Sequence, residues 1–301
     1  MSVVEETDDI MMCCASCGIA GVDDVKLKKC IACYLVKYCS IKCQREHRSQ
    51  HKKECKKRAA ELRDEILFKQ PESSHHGDCP ICFLPLSLDN DKSSVMSCCS
   101  KIICDGCNEM RELEGKIQPK CPFCRHSPPK SQAEARKNNM KRVEANDPVA
   151  MCQMGRRRYS EGDYDGAFEY FSKAAALGDI VAHNNLSVMY QKGEGVEKDD
   201  KKAVHHLEQA AIGGHPKARH NLGVIEKENG RNNRAVKHWI IAANMGHDDS
   251  LENLKLVYRE GRVSKEDFAS ALRGHQAAID AAKSPQREAA EKWRRKMAAR
   301  V

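Results

Sequence analysis

From Asp147 onward the apolar and small residues of the chain recur at a long period. Ala150 returns as Ala182 and Ala218, Met154 as Leu186, Leu222 and Leu254, and Gly178 as Gly214 and Gly246. The offsets are 32, 36 and 32 residues, the middle one lengthened by an insert around Gly195–Asp199. Each unit predicts a helix, a Gly-containing turn, a second helix carrying Ala-Ala (167–176, 203–211, 235–243) and a Gly-terminated stop. A lone helical hairpin cannot bury its apolar face, but three stacked ones can. A fourth, degenerate unit over 250–279 is expected to cap the stack, which then fills residues 148–280.

Outside the repeats the pattern is thinner. Ala59, Leu62 and Ile66 lie at spacings of three and four and predict an amphipathic helix over 52–70, with Pro71 opening a linker that ends near 78. Residues 126–147 read as a Pro-rich linker that turns into a polar helix. The tail, 281–301, predicts a basic helix after Ser284-Pro285, expected either to dock on the helical stack through Trp293 and Met297 or to meet an acidic partner. No apolar run approaches the roughly 18–20 residues of a membrane span, so no membrane association is expected.

The first 124 residues follow a different rule. Sixteen of the 17 cysteines lie between Cys13 and Cys124, mostly in pairs two or three residues apart. Such pairs can point two thiolates at one ion, and a tetrahedral zinc needs two pairs. A disulfide framework would need an oxidising compartment. The stretch Met1–Met12 is acidic, with neither a basic n-region nor an apolar h-region, so no secretory signal is visible and an intracellular zinc protein is expected. Aromatic residues make up only 5% of the chain, so these small modules must be held by metal rather than by a large core.

The first cysteine series is Cys14, Cys17, Cys30, Cys33, Cys39, Cys43, His51 and Cys55, with Cys13 as a spare that could replace Cys14 in register. Cys-x2-Cys, Cys-x2-Cys, Tyr38-Cys-x3-Cys-Gln44 and His51-Lys52-x2-Cys together resemble a MYND finger over residues 13–55. The resemblance implies a cross-brace with Cys14, Cys17, Cys39 and Cys43 on one zinc and Cys30, Cys33, His51 and Cys55 on the other. It also implies binding of short proline-containing peptides, although Arg48 stands where the family generally has a tryptophan. His47 reads as a solvated helix residue, and the basic run Lys52–Arg58 as a solvated helix face.

The second series is Cys79-Pro-Ile-Cys82, Cys98, Cys99, Cys104-Asp-Gly-Cys107 and Cys121-Pro-Phe-Cys124. It resembles a RING finger over 79–125. One ion would take Cys79, Cys82, Cys104 and Cys107, and the other Cys98, Cys99, Cys121 and Cys124. The family separates its third pair by one to three residues, whereas Cys98 and Cys99 are adjacent. Either both bind on an unusual backbone, or a nearby donor such as His126 replaces one. RING fingers mostly act as ubiquitin ligases, holding a ubiquitin-loaded conjugating enzyme in a reactive pose without a nucleophile of their own. The residues that the resemblance assigns to this contact are Ile81, Pro122 and Arg125.

The repeats resemble Sel-like repeats, relatives of the tetratricopeptide hairpin, through Asn185-Leu-Ser-Val-Met-Tyr190, Gly193-Glu-Gly-Val196 and Asn221-Leu-Gly223. The fold class expected is therefore multi-domain: two small cross-braced zinc fingers, then an all-α solenoid of helical hairpins. About four zinc ions follow. Three four-cysteine sites at −2 each and one three-cysteine, one-histidine site at −1 bring the formal charge of +8 to about +1, which removes global charge as an argument for nucleic acid. The expected function is a RING-type ubiquitin ligase whose repeats and MYND finger recruit protein substrate. The rival is a non-enzymatic interaction scaffold or transcription-associated adaptor.

Overall fold

The computed structural model describes residues 13–21, 25–113 and 120–299, so the N-terminal segment 1–12 lies outside the described residues. Two compact units result, the first ending at Lys69 and the second running from Gln70.

The first unit is built on very little regular structure. Strands β1 (Lys28–Lys29) and β2 (Lys37–Tyr38) pair antiparallel, and helices α1 (Ile41–Glu46) and α2 (Arg48–Leu67) follow. Ser40 caps α1 by accepting from the Cys43 amide at 3.2 Å. The buried residues are mostly the cysteines themselves, with Tyr38 among them. Helix α2 begins earlier than the apolar spacing implies and carries His51 and Cys55 one turn apart on the same face. The half-buried stripe therefore runs through His51, Cys55, Ala59 and Leu62, while Ile66 is 58% exposed and the buried apolar end is Leu67. Lys52, Lys53, Lys56 and Lys57 face solvent, and Arg58 is paired with Glu61 and Glu65 on its own helix.

The second unit opens with a segment laid along the helical stack: the His75 amide donates to the Gly214 carbonyl at 2.9 Å, and the His75 ring stacks on His215 at 4.0 Å. A second small finger follows, with β3 (Ser93–Val95) antiparallel to β4 (Ile102–Cys104) and helix α3 (Asp105–Leu113) directly after it. Helix α4 (Gln132–Glu144) leads into the stack, where hairpins α5/α6 (Pro148–Ser160, Tyr164–Ala176), α7/α8 (Ile180–Lys192, Asp200–Ile212) and α9/α10 (Pro216–Glu228, Asn232–Ala243) pack in order. Helices α11 (Asp248–Arg259) and α12 (Lys265–Ala281) pack on α10 and on each other and close the row. Helix α13 (Pro285–Ala298) is the last.

The recurring positions explain the period. Ala150, Ala182 and Ala218 are 0% exposed and sit three residues after the N-cap of each first helix. Gly178, Gly214 and Gly246 hold φ of 87°, 82° and 86°, a left-handed stop that a side chain would strain. A second period lies in the packing between the helices of each hairpin. In α5, a Cβ on Gly155 would stand 2.7 Å from the ring of Phe171, and in α9, one on Gly223 would stand 2.7 Å from Cδ1 of Trp239. The corresponding positions of the middle unit hold Ser187 and Ala203, both buried. A glycine thus accompanies each large ring, and a larger residue accompanies the alanine. The insert in the middle unit folds back on the preceding one, where Tyr159 donates to the Glu194 carboxylate at 2.5 Å.

The N-caps change along the stack in a way that matters for pH. The first helices of the first two units are capped by Asp147 and Asp179, whereas α9 and α11 are capped by Nδ1 of His215 and His247, each accepting a backbone N–H at 3.3 Å. Only the neutral ring can accept. Burial, then the nearby His220, lowers the His247 pKa to about 4; burial, then His76, lowers that of His215 to about 3. Above about pH 6.5 both rings are neutral folded or unfolded and contribute no pH dependence. Below it the unfolded chain takes up protons that the fold refuses, so stability falls progressively toward pH 4. The variant His247→Asp is expected to lose less melting temperature than the wild type between pH 7.5 and pH 5, read by circular dichroism.

Candidate metal centres

Fifteen cysteines and one histidine converge in four groups, in each of which one donor atom per residue lies within 4.8 Å of the others. They are Cys14, Cys17, Cys39 and Cys43; Cys30, Cys33, His51 and Cys55; Cys79, Cys82, Cys104 and Cys107; and Cys98, Cys99, Cys121 and Cys124. Within them, Cys17–Cys39, Cys30–Cys55, Cys82–Cys104 and Cys98–Cys124 have Sγ···Sγ distances of 3.6, 3.7, 3.8 and 3.4 Å. A tetrahedral zinc with sulfur at about 2.3 Å sets its ligands about 3.8 Å apart. A disulfide would bring them to about 2.05 Å, and every cysteine is free. The donor sets therefore fit zinc, with about four sites in the chain. When bound, zinc supplies the cation that holds four mutually repelling donors together, which is folding energy for a module without a core.

One backbone device builds most of these sites. Gly18, Tyr34, Phe83, Ser100 and Arg125 have φ of 74°, 58°, 56°, 56° and 61°, and each directly follows the second cysteine of a pair. Four of them donate their amide to the carbonyl four residues back, that of the first cysteine: Gly18 to Cys14, Tyr34 to Cys30, Phe83 to Cys79 and Arg125 to Cys121, at 2.8–2.9 Å. Ser100 makes the same bond at 2.7 Å, but to Met96. Around Cys98 and Cys99 the chain thus forms the same tight loop with its ligand moved: Met96 occupies the first position and Cys98 the third. Adjacency comes from a shift of ligand on an ordinary loop. The side chain of His126 is exposed, and its carbonyl accepts from the Cys121 amide at 2.7 Å. Cys13 lies beside the first group without joining it, in a bridge to Ala20.

The thiols within each group differ in how readily they ionise. At Cys14 and Cys30 burial pushes the thiol up, but converging backbone N–H groups outweigh it, aided at Cys30 by His51, and both come down to about 6. Their neighbours move the other way: Cys39, bonded by Cys43, Cys14 and Cys17, and Cys55, by burial and then Cys30 and Cys33, are pushed up to about 12. At Cys82 burial is outweighed by the Leu84 amide and the Arg287 guanidinium, leaving it at about 7. His51 offers Nε2 at 3.2 Å from the Cys33 sulfur. His47 is half-buried rather than solvated; it accepts or donates at Nδ1 with the Tyr38 hydroxyl at 3.1 Å and stacks on His51.

Of the three residues assigned to a conjugating-enzyme contact, Ile81 is 37% exposed, Arg125 is exposed and Pro122 is half-buried. Phe83 and Phe123 on the same two loops are exposed too, at 77% and 45%. Sequence reasoning did not single out either ring or the contact made by the tail. Helix α13 docks on α3 of the second finger, with Arg294 pairing with Asp105 at 2.5 Å and Glu109 at 2.8 Å. The expected docking on the stack through Trp293 and Met297 is corrected here: the helix docks on the finger, Met297 is exposed, and half-buried Trp293 shares the covered side with Gln286, Arg287, Ala290 and Arg294, whose guanidinium groups find carboxylates and a cysteine sulfur there. Cys152, buried in the stack, has its thiol pushed well up by burial and by Asp179.

Comparison with known proteins agrees with this architecture. Residues 14–55 match the family model of the MYND finger, and residues 148–179, 180–215 and 216–247 each match that of the Sel1 repeat. The chain thus carries a MYND finger and three Sel1 repeats, with four donor sets that fit zinc. It is similar to mouse DAP3-binding cell death enhancer 1, 26% identical over 175 residues, covering 45% of this chain and 34% of that protein. It is also similar to putative beta-lactamase HcpC of Helicobacter pylori, 41% identical over 56 residues, or 19% of each chain. The matched region thus spans about a third or less of these relatives. Among solved structures, a Sel1 repeat protein from Oxalobacter formigenes aligns with a TM-score of 0.43 and 30% identity over 50% of this chain and 66% of its own. Among the described residues no helix is long and apolar enough to cross a membrane.

Proposed function

We propose that the second finger of this scaffold is a RING-type docking site for a ubiquitin-loaded conjugating enzyme, with the Sel1 repeats and the MYND finger recruiting the protein to be modified. The observation that carries the reading is the pair of cysteine loops whose backbones are locked by metal ligands and whose tips present apolar side chains to solvent. Ile81 and Phe83 lie on the loop of Cys79 and Cys82, and Phe123 lies beside Pro122 on that of Cys121 and Cys124. Exposed apolar groups on rigid loops cost little entropy to dock. Arg125, exposed after the last cysteine, supplies a planar fork of donors for a ubiquitin carbonyl or an enzyme side chain. Catalysis would be orientation of a thioester, with no nucleophile needed from this chain.

Recruitment rests on the remaining surfaces. The first finger exposes Ile31, Tyr34, Leu35 and Ile41, an apolar set suited to a short peptide. The mouse relative is by name DAP3-binding, which supports a protein rather than a small molecule as the ligand of the repeats. In an autoubiquitination assay with a panel of conjugating enzymes, the wild type is expected to build chains with at least one of them. Ile81→Ala is expected to reduce that activity tenfold or more at unchanged zinc content. No chains with any member of the panel would leave a scaffold without ligase activity.

A further inference from the structure

The last helix touches the Cys79–Cys82–Cys104–Cys107 site. Arg287 Nη2 donates to the Cys82 sulfur at 3.3 Å and to the Leu84 carbonyl at 3.0 Å, and Nη1 donates to the Pro85 carbonyl at 2.6 Å. Beside it, Gln286 Nε2 donates to the Gly106 carbonyl at 3.0 Å and lies 3.9 Å from the Cys107 sulfur. The approach is close: a Cβ on Gly106 would stand 3.0 Å from Cα of Arg287. Four thiolates on a divalent ion carry a net charge of −2. A guanidinium held against one of them, in a half-buried place, stabilises that charge as a hydrogen-bond donor and as a cation. The same residue ties down the carbonyls of the loop that follows Cys82. Arg294, two turns on, reaches the Asp91 carbonyl and pairs with Asp105, which lies next to the ligand Cys104.

We propose that Arg287, seconded by Gln286, is an outer donor to the zinc-bound thiolate of Cys82, so that the C-terminal helix sets how firmly the Cys79–Cys82–Cys104–Cys107 site holds its ion. A segment some 180 residues downstream in sequence thereby becomes part of the second finger. Partners that pull the tail away, or cleavage between the stack and α13, would loosen one metal selectively. The proposal rests on occupancy of the site by metal and is independent of ubiquitin transfer: it stands whether or not the finger acts as a ligase.

The test uses the full chain with all four sites filled. Arg287→Ala is compared with Arg295→Ala, whose side chain is exposed and bonded to Glu291 of its own helix. Two quantities are read: the rate at which each metal leaves to a chelator, and the cadmium NMR signals of the cadmium-substituted chain, which respond to hydrogen bonds at the ligating sulfur. Arg287→Ala is expected to speed the loss of one ion in four by about tenfold or more and to shift one cadmium signal, with Arg295→Ala unchanged in both. Should Arg287→Ala displace the helix altogether, Gln286→Ala is read in its place and is expected to shift the same signal by less. Identical release rates and signals in Arg287→Ala and the wild type would overturn the proposal, as would equal changes at all four sites.

Discussion

Gly223→Val is expected to destabilise the helical stack by about 3 kcal/mol, the upper end of the usual cost of overpacking. The reason is the neighbour. Trp239 is 1% exposed, and its Cδ1 and Cε2 would lie 2.7 and 2.9 Å from the new Cβ, well inside van der Waals contact. The ring cannot swing away cheaply, because its Nε1 donates to the His220 carbonyl at 3.3 Å and it belongs to the buried cluster of Ala235, Leu251, Leu254 and Val257. The gain from replacing a glycine inside a helix is under about 1 kcal/mol and does not offset this. For a domain of this size the loss corresponds to about 6–12 °C in melting temperature, read by calorimetry. Ser187→Val, at the same place in the unit that carries Ala203 instead of a ring, is expected to cost less. Equal losses in the two variants would mean that the ring does not set the constraint.

The two halves of the chain were legible for different reasons. In the stack, Ala150, Ala182 and Ala218 mark the period because each is fully buried three residues after the N-cap of its helix, and that recurrence is written as residue type. The pairing of Gly155 with Phe171 and of Gly223 with Trp239 was equally present in the sequence, at the same offsets, but it shows only when two columns are compared. In the fingers, spacing groups the cysteines because two thiols on one tight turn must serve one ion. The adjacent Cys98 and Cys99 resisted that rule, since the position of a ligand within the loop depends on a backbone bond, Ser100 to Met96, that residue spacing does not encode. The tail was the hardest part. A basic helix meets whichever anionic surface the fold brings near, and Asp105, Glu109 and the Cys82 sulfur become neighbours of Arg287 and Arg294 only through the fold. Helix α2 erred for a related reason: its buried face is fixed by His51 and Cys55, which are polar on any hydropathy scale, so periodicity placed Ile66 inside when it is exposed.

Metal holds both fingers, whereas the helical stack holds itself. Among the described residues, the buried hydrophobic clusters of the two fingers are largely cysteine, Cys14, Cys30, Cys33 and Cys43 in one and Cys79, Cys104, Cys107 and Cys121 in the other, joined by Tyr38, Leu86 and Ile103. Burying so few apolar groups does not offset the conformational entropy lost on ordering each finger. Zinc in such sites contributes about 10–16 kcal/mol of folding free energy per ion. The stack has no such dependence, since its core of Phe171, Leu186, Met189, Trp239 and Leu254 is apolar and nearly inaccessible.

Limited proteolysis of the full chain after chelation under reducing conditions tests this most directly. Before chelation, elemental analysis is expected to return about four zinc ions per chain. After it, residues 13–55 and 79–124 are expected to be cut rapidly while 148–280 survives as a resistant fragment with its helical circular dichroism intact. Fingers that stay resistant with the metal gone would contradict the account.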